Sequence, residues 1–209
     1  MVTGGERDEV AKRAVALGIT GDPGTASNNL GPITLGNGQT VTAHVVHAVD
    51  PVITDGKEVV LINRKNPPGQ GRLALPGGFI DPIKGGAESA VEAAAREALE
   101  EVGAKLHGGT LIGQRNMNRP YDVRSATTDL PQYGIKKGDV FMVSTQAIRF
   151  DVENLSHIKL LAGDDAERGS ARRVPISSLT RDEMGIADHY DMIIKATAQN
   201  APRWSIPKY

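Results

Sequence analysis

Hydrophobic and polar positions along the chain predict more strands than helices. Apolar runs rich in β-branched residues predict strands over Pro32–Leu35, Thr40–Val49, Glu58–Asn63, Thr110–Ile112, Val140–Phe150 and Val174–Ile176. Apolar residues at helical spacing predict helices over Glu6–Leu17, from near Ser89 to Gly103, and over Ala187–Thr197. The Gly-, Pro- and Asn-rich stretch Gly18–Gly31 predicts a linker. This order is compatible with an α/β (α+β) fold.

The second predicted helix has one acidic and one apolar face. A helix advances about 100° per residue, so Glu97 and Glu101 lie about 40° apart, with Glu100 about 60° beyond Glu97. The remaining arc carries the apolar residues Val91, Ala94, Ala95, Ala98 and Val102. One face can therefore pack on a sheet, and the other is a dense patch of the hard oxygen ligands that Mg²⁺ prefers.

An acidic helix face is usually only solvated, and Glu92 with Arg96 makes an ion pair that needs no function. The flanking sequence favours a site. Ser89 and Glu92 form a capping box, which leaves Glu88 on the preceding loop. Upstream, Leu75–Phe79 is an apolar strand end that runs into two glycines, where backbone carbonyls can approach an ion. The pattern thus predicts one connected metal and pyrophosphate site.

Composition excludes several classes of protein. The 209 residues include 24 basic and 25 acidic side chains, so we expect no general attraction to nucleic acid or membranes. Cysteine is absent, which excludes disulfides and thiolate metal sites and fits a cytoplasmic protein. We find no apolar run long enough to span a bilayer and no secretory signal, and we predict no membrane partner.

The segment from Gly78 to Ala104 resembles the Nudix box, the signature of Mg²⁺-dependent hydrolases of nucleoside diphosphates linked to another moiety. In that signature a glycine, five residues, a glutamate and seven further residues precede Arg-Glu-aliphatic-x-Glu-Glu-x-Gly-aliphatic. The polar and glycine positions are matched by Glu88, Arg96, Glu97, Glu100, Glu101 and Gly103. Nine residues separate Gly78 from Glu88, so Ile83–Gly86 is interpreted as a four-residue loop insertion, and the small Ala98 and Ala104 fill the aliphatic positions.

The resemblance implies the Nudix αβα sandwich, with a mixed β-sheet between helices, and a bound Mg²⁺, or Mn²⁺ in its place. It assigns the metal to Gly77, Glu88, Glu97, Glu100 and Glu101, and gives catalytic roles to Glu97 and Glu101. Arg96 would orient the glutamates. The general base is either a box glutamate or a later acid among Asp164, Asp165 and Glu167. The alternative for the later acids, weighed equally, is a solvated turn before the strand at Val174.

A weaker likeness covers about residues 40–200. Outer motifs around Arg64, Phe79, Arg124 and His189 resemble the ADP-ribose pyrophosphatase domain of bifunctional nicotinamide-mononucleotide adenylyltransferases and of related regulators of NAD metabolism. It implies substrate contacts from Arg64, Phe79, Arg124, Tyr121 and Tyr133. The alternatives are surface arginines and core tyrosines. Residues 1–39 resemble an N-terminal extension that pairs with a second subunit in several relatives, which implies a homodimer, and 201–209 form a tail.

Three functions remain open at this point. The first is hydrolysis of ADP-ribose to AMP and ribose 5-phosphate, and the second is Nudix hydrolysis of a nucleoside-diphosphate sugar or an oxidised nucleotide. The third is a module that senses a nucleotide without cleaving it, which the complete glutamate set disfavours.

His44 and His47 lie three apart in a strand and point to opposite faces, so they are not a metal pair. For His189 we expect a structural hydrogen bond near the start of the last helix.

Overall fold

The computed structural model describes residues 2–16, 24–65, 69–114, 123–160 and 171–198, with only the backbone for 110–114. Its helices are α1 (Gly4–Ala16), α2 (Ala90–Val102) and α3 (Ala187–Thr197). The strands are β1 (Ser27–Thr34), β2 (Thr40–Thr54), β3 (Glu58–Asn63), β4 (Leu73–Ala74), β5 (Gly78–Phe79), β6 (Pro82–Ile83), β7 (Gly86–Ala87), β8 (Thr110–Gln114), β9 (Val123–Ser125), β10 (Val140–Asp151) and β11 (Arg172–Pro175). This content of helices and sheet confirms the predicted α/β class.

The chain forms two compact units, and each takes segments from three parts of the sequence. The first unit consists of Met1–Ala48, Phe79–Ala90 and Gln114–Gln146. The second unit consists of Val49–Gly78, Val91–Gly113 and Ala147–Tyr209. The long strands β2 and β10 contribute residues to both.

In the first unit, β1 pairs antiparallel with the beginning of β2, and β9 pairs antiparallel with the beginning of β10. The apolar side of α1 packs over these strands, and the buried residues of this cluster include Val10, Ala14, Ile33, Val41 and Met142. The four inserted residues of the box, Ile83–Gly86, lie in a small hairpin in which Ile83 of β6 pairs with Gly86 of β7, and Lys84 and Gly85 form the turn. Gly85 at φ 94° supplies the left-handed backbone of that turn.

Two sequence predictions for this unit were wrong in part. Helix α1 begins at Gly4 and not at Glu6, because the Glu6 carboxylate accepts the Thr3 amide at 2.5 Å and caps the first turn. The predicted linker ends early, since Ser27 to Gly31 already belong to β1. Its Asn and Ser residues favour loops, but pairing with β2 and the 2.6 Å contact of Asn28 Oδ1 with His47 Nε2 outweigh that preference.

In the second unit, the strands follow the order β11-β3-β2-β10-β8, with β4 paired to β3. Helix α2 buries Ala98 and Val102 in one apolar cluster with Ile53, Val60 and Leu155. Helix α3 buries Met192, Ile193 and Ala196 in a second cluster with Val52, Leu61 and Leu75. Gly103, at φ 76°, ends α2 as predicted, and its amide bonds to the Leu99 carbonyl.

Strand boundaries in this unit differ from the predictions in several places. β2 continues to Thr54, beyond the predicted Val49, because Val49, Val52 and Ile53 are all fully buried and the Asp50-Pro51 pair does not interrupt the strand. β8 and β10 extend further than predicted, and β11 begins two residues earlier. The predicted bounds of β3 and α3 are confirmed. No helix within the described ranges combines the length and apolar character needed to cross a bilayer.

Candidate active site

Three carboxylates of the box, those of Glu97, Glu100 and Glu101, lie on the second half of α2. Glu97 is 9% exposed, Glu101 is half-buried, and Glu100 is exposed. Ala98 and Val102 face the apolar cluster and are fully buried. The helix thus has the two faces that its sequence predicts, and the apolar face fixes the direction of the acidic one.

Arg96 contacts two of these carboxylates. Its Nη1 atom donates to Glu97 Oε1 at 2.7 Å and lies 3.3 Å from Glu100 Oε2. Hydrogen bonds between charged groups are shorter and stronger than neutral ones, so the guanidinium restrains both side chains. It also offsets part of the repulsion between negative charges one helical turn apart. The role predicted for Arg96, orienting the glutamates, stays a prediction.

The double-glycine turn lies against the same end of α2. The Gly77 amide donates to Glu101 Oε2 at 2.8 Å. A Cβ on Gly78 would overlap the Glu97 carboxylate, and a Cβ on Gly77 would overlap Asp50 Oδ1 and the Val49 carbonyl. Only glycine fits at either position without displacing a neighbour. The turn therefore lies against the carboxylates of Glu97 and Glu101, and the metal and pyrophosphate site expected here stays a prediction.

Asp50 and His189 support this turn from the other side. The Leu75 amide donates to His189 Nδ1 at 2.9 Å, and His189 Nε2 lies 3.2 Å from Asp50 Oδ2. The second contact has the distance of an ion pair but not the alignment of a hydrogen bond. Sequence reasoning assigned no function to Asp50, although a lone acid inside the apolar run of β2 was a signal for a buried, partnered carboxylate.

Arg64, a predicted substrate contact, lies beside the segment that precedes α3. A Cβ on Gly185 would lie 2.8 Å from Arg64 Cδ and 2.8 Å from the Gly69 carbonyl oxygen. The Gly185 amide donates to the Leu73 carbonyl at 2.7 Å. The stem of Arg64 is thus packed against backbone, and its side chain is half-buried.

The first unit contains Glu88, the loop carboxylate of the box. Its Oε1 atom accepts the Asp81 amide at 2.8 Å, and its own amide donates to the Asp81 carbonyl at 3.1 Å. These two bonds close the base of the β6–β7 hairpin. Because they tie together the residues that flank the four-residue insertion, the insertion forms an ordered extension of the loop between Gly78 and Glu88.

Three predicted substrate contacts also lie in the first unit. Phe79 and Tyr133 meet edge to face with ring centroids 5.6 Å apart, and Tyr133 is 6% exposed. The Tyr133 hydroxyl lies 3.5 Å from Asp81 Oδ1. The Arg124 guanidinium carbon lies 5.6 Å from the centroid of Phe141. Burial of Tyr133 favours its alternative role as a core tyrosine, whereas Phe79 is only half-buried.

The remaining predicted residues, Tyr121, Asp164, Asp165 and Glu167, lie outside the described residues. In the described part of the chain, no three His, Asp or Glu side chains already surround a common point. The oxygen ligands present nevertheless fit a hard divalent cation. Carboxylates on α2 lie directly against the glycine turn, because its residues have no Cβ that would displace them.

A family model of the NUDIX domain matches residues 45–194. The chain belongs to the NUDIX family. This membership agrees with the predicted fold of a sheet packed with helices. An ADP-ribose pyrophosphatase of Methanocaldococcus jannaschii is 43% identical over 70 residues, which are 34% of this chain and 39% of that relative. The match thus spans well under half of the curated relative.

Solved structures resemble this NUDIX chain more distantly. A bifunctional NMN adenylyltransferase/ADP ribose pyrophosphatase from Francisella tularensis has 20% identity and a TM-score of 0.48, over 73% of this chain and 40% of that one. A MutT/nudix family protein from Enterococcus faecalis has 22% identity and a TM-score of 0.48, over 72% and 60% of the two chains.

Proposed function

We propose that this NUDIX protein is a pyrophosphohydrolase that uses Mg²⁺ to split ADP-ribose into AMP and ribose 5-phosphate. The observation that carries the proposal is the contact between the acidic end of α2 and the Gly77–Gly78 turn. A pure binding module has no need for a full set of metal-binding carboxylates beside such a turn. The 43% identity over 70 residues with an ADP-ribose pyrophosphatase supports the choice of substrate.

The proposed metal ligands are the carboxylates of Glu88, Glu97, Glu100 and Glu101 and the carbonyl of Gly77. When bound, a divalent cation would neutralise the diphosphate oxygens and lower the pKa of an attacking water. Arg96 holds Glu97 and Glu100 in place through the contacts described above. Glu101 holds the Gly77 amide, which fixes the turn that would face the diphosphate.

The reaction itself is a hydrolysis at phosphorus. The oxygen of water forms a bond to one phosphorus of the diphosphate while the bond from that phosphorus to the bridging oxygen breaks. The proton of the water passes to a carboxylate, either a box glutamate or one of Asp164, Asp165 and Glu167. The bridging oxygen leaves with the second phosphate, so AMP and ribose 5-phosphate are the products.

We propose that Arg64, Phe79 and Arg124 contact the substrate. A guanidinium matches the paired oxygens of a phosphate and also stacks on a base, which suits both arginines to a nucleotide. Tyr121 and Tyr133 stay predictions of the same kind.

We further expect a homodimer through residues 1–39, a cytoplasmic location, and no nucleic-acid partner. Sedimentation of the full chain and of a chain beginning at Thr40 would test the dimer.

A panel of nucleotides incubated with Mg²⁺ tests the proposal. The panel contains ADP-ribose, nucleoside-diphosphate sugars and oxidised nucleoside triphosphates, and AMP, sugar phosphates and pyrophosphate are quantified by chromatography. Turnover of ADP-ribose at least about tenfold faster than the others supports the proposal. Faster turnover of another compound would replace the substrate but keep the hydrolase. Binding without any turnover would favour a sensing module.

A further inference from the structure

The Asp50–His189 pair is a buried polar contact beside the candidate site that the proposed reaction does not use. Asp50 is 8% exposed and His189 is 2% exposed. Burial of an acid and an imidazole is costly unless each has a partner, and here each faces the other at 3.2 Å. The pair spans the end of β2 and the first turn of α3, with the segment Leu75–Gly78 between them in contact with both.

The hydrogen bond from Leu75 fixes the protonation of the histidine. Because the Leu75 amide donates to Nδ1, that nitrogen cannot carry a proton. The tautomer that fits this bond carries its proton on Nε2, the nitrogen that faces the Asp50 carboxylate. One side chain thus uses one nitrogen to hold the backbone of the turn segment and the other to face Asp50.

Asp50 touches the turn directly as well. A Cβ on Gly77 would overlap Asp50 Oδ1, so this oxygen lies against the Gly77 backbone, whose amide donates to Glu101 on the opposite side. Leu75 and Gly77 are thus held at two points, by His189 and by Asp50. The Asp50 oxygen that does not face the turn, Oδ2, is the one that faces His189.

We propose that Asp50 and His189 are positioning residues that hold the Leu75–Gly78 segment in the conformation in which the Gly77 carbonyl and the α2 glutamates can share a metal ion. The proposal rests on the proposed function, since it assigns the segment to the metal site. Residues that orient metal ligands typically change metal affinity or activity about 10- to 100-fold when they are removed. We expect a loss of that size here.

The test measures Mn²⁺ affinity by electron paramagnetic resonance, kcat and KM separately, and the thermal unfolding of each variant. H189A and D50A are expected to weaken Mn²⁺ binding about 10- to 100-fold. His189→Asn keeps an oxygen that can accept the Leu75 amide, so it should recover most of the Mn²⁺ affinity. His189→Gln extends its amide group towards Asp50 but offers no acceptor to Leu75, so it should not recover the affinity. H44N, which alters a buried histidine in the first unit, is the control and should leave Mn²⁺ affinity unchanged. Unchanged affinity in folded H189A and D50A would overturn the proposal.

Two measurements keep the proposal open to refutation if the alanine variants do not fold. Imidazole ¹⁵N spectra of the wild-type protein should show His189 as the neutral Nε2–H tautomer, and an Nδ1–H tautomer or an imidazolium would contradict it. Amide exchange at Leu75 should be slow in the wild type and faster in His189→Gln. A wild-type protein that binds no Mn²⁺ would refute the proposed metal site. Equal rates of Leu75 amide exchange in the wild type and in His189→Gln would refute the positioning role, whatever the result for Mn²⁺.

Discussion

Glu101 Oε2 accepts the hydrogen bond of the Gly77 amide at 2.8 Å, and this contact joins the acidic end of α2 to the double-glycine turn. The two residues are 24 positions apart in the sequence, with most of the box between them. This hydrogen bond ties the Glu101 carboxylate to the backbone of the turn, so the negative charge of the side chain lies beside Gly77. The contact is thus the structural basis of the proposed metal site.

Glu101→Gln separates the two roles of this side chain. Glutamine keeps an oxygen that can accept the Gly77 amide, so we expect the fold and the unfolding temperature to be nearly unchanged. It removes the negative charge, and we expect kcat to fall about 100- to 1000-fold, the scale for loss of one group that stabilises charge in a transition state. Steady-state kinetics with ADP-ribose and Mg²⁺ give both parameters. The control is Glu9→Gln on α1, and near-normal kcat in Glu101→Gln would remove Glu101 from the metal site.

Gly77→Ala and Gly78→Ala should have different effects. A Cβ on Gly77 would overlap the Val49 carbonyl, which is backbone and cannot rotate away, so we expect a clear loss of stability. The three atoms nearest to a Cβ on Gly78 all belong to the Glu97 carboxylate, a side-chain end that can move. We therefore expect Gly78→Ala to fold but to bind Mn²⁺ more weakly. Urea unfolding and Mn²⁺ titration of both variants check this, and the reverse order of stabilities would contradict the packing described here.

Arg96→Gln should weaken metal binding without unfolding the protein. The guanidinium holds Glu97 and Glu100, so its loss frees both carboxylates and increases their mutual repulsion. We expect Mn²⁺ affinity to fall about tenfold. Arg181→Gln, which removes another arginine–carboxylate pair in the same unit, should leave the affinity unchanged. Equal Mn²⁺ affinities for Arg96→Gln and wild type would show that Arg96 does not orient the glutamates.

Much of the second unit could be predicted from the sequence, because its signals are local. The periodicity of α2 and its end at Gly103 are both set by residues within a few positions of each other. The same holds for β3 and α3, whose bounds match the structure. Local signals failed where tertiary pairing decides the outcome. The Asn- and Ser-containing start of β1 is a strand only because β2 lies beside it.

The support of the Gly77 turn could not be predicted for the same reason. Asp50 and His189 are 139 positions apart, and no spacing rule connects a strand acid to a helix histidine at that separation. The role predicted for His189, a structural hydrogen bond at the start of the last helix, agrees with its bond to Leu75. Its partner and its place beside the turn became visible only in three dimensions.

His44 and Asp139 should make stability depend on pH in the first unit. Burial lowers the pKa of His44 from its ordinary value of 6.5, against the opposing charge of Asp139 3.4 Å away. Burial alone would raise the pKa of Asp139, but the amides of Lys136 and Thr42 and the charge of His44 outweigh it and lower that pKa below 3.8.

The sign follows from proton binding. Unfolding releases His44 from burial, so the unfolded chain binds a proton more readily, and stability falls as pH drops below 6.5. The contribution of Asp139 is present above 3.8 and is lost as pH falls further towards its lowered pKa. The unfolding temperature of wild type should thus decrease from about pH 7.5 to about pH 5.5 more steeply than that of His44→Gln. Parallel curves would contradict this prediction.

The central claim is that the α2 carboxylates bind a divalent metal with which the protein cleaves a diphosphate. Its most direct measurement is the initial rate of AMP release from ADP-ribose by the wild-type protein as Mg²⁺ is titrated, with EDTA and with Glu101→Gln as references. We expect a rate that rises to saturation with Mg²⁺, no product in EDTA, and AMP and ribose 5-phosphate in equal amounts. No AMP at any Mg²⁺ concentration, or a rate indifferent to EDTA, would contradict it.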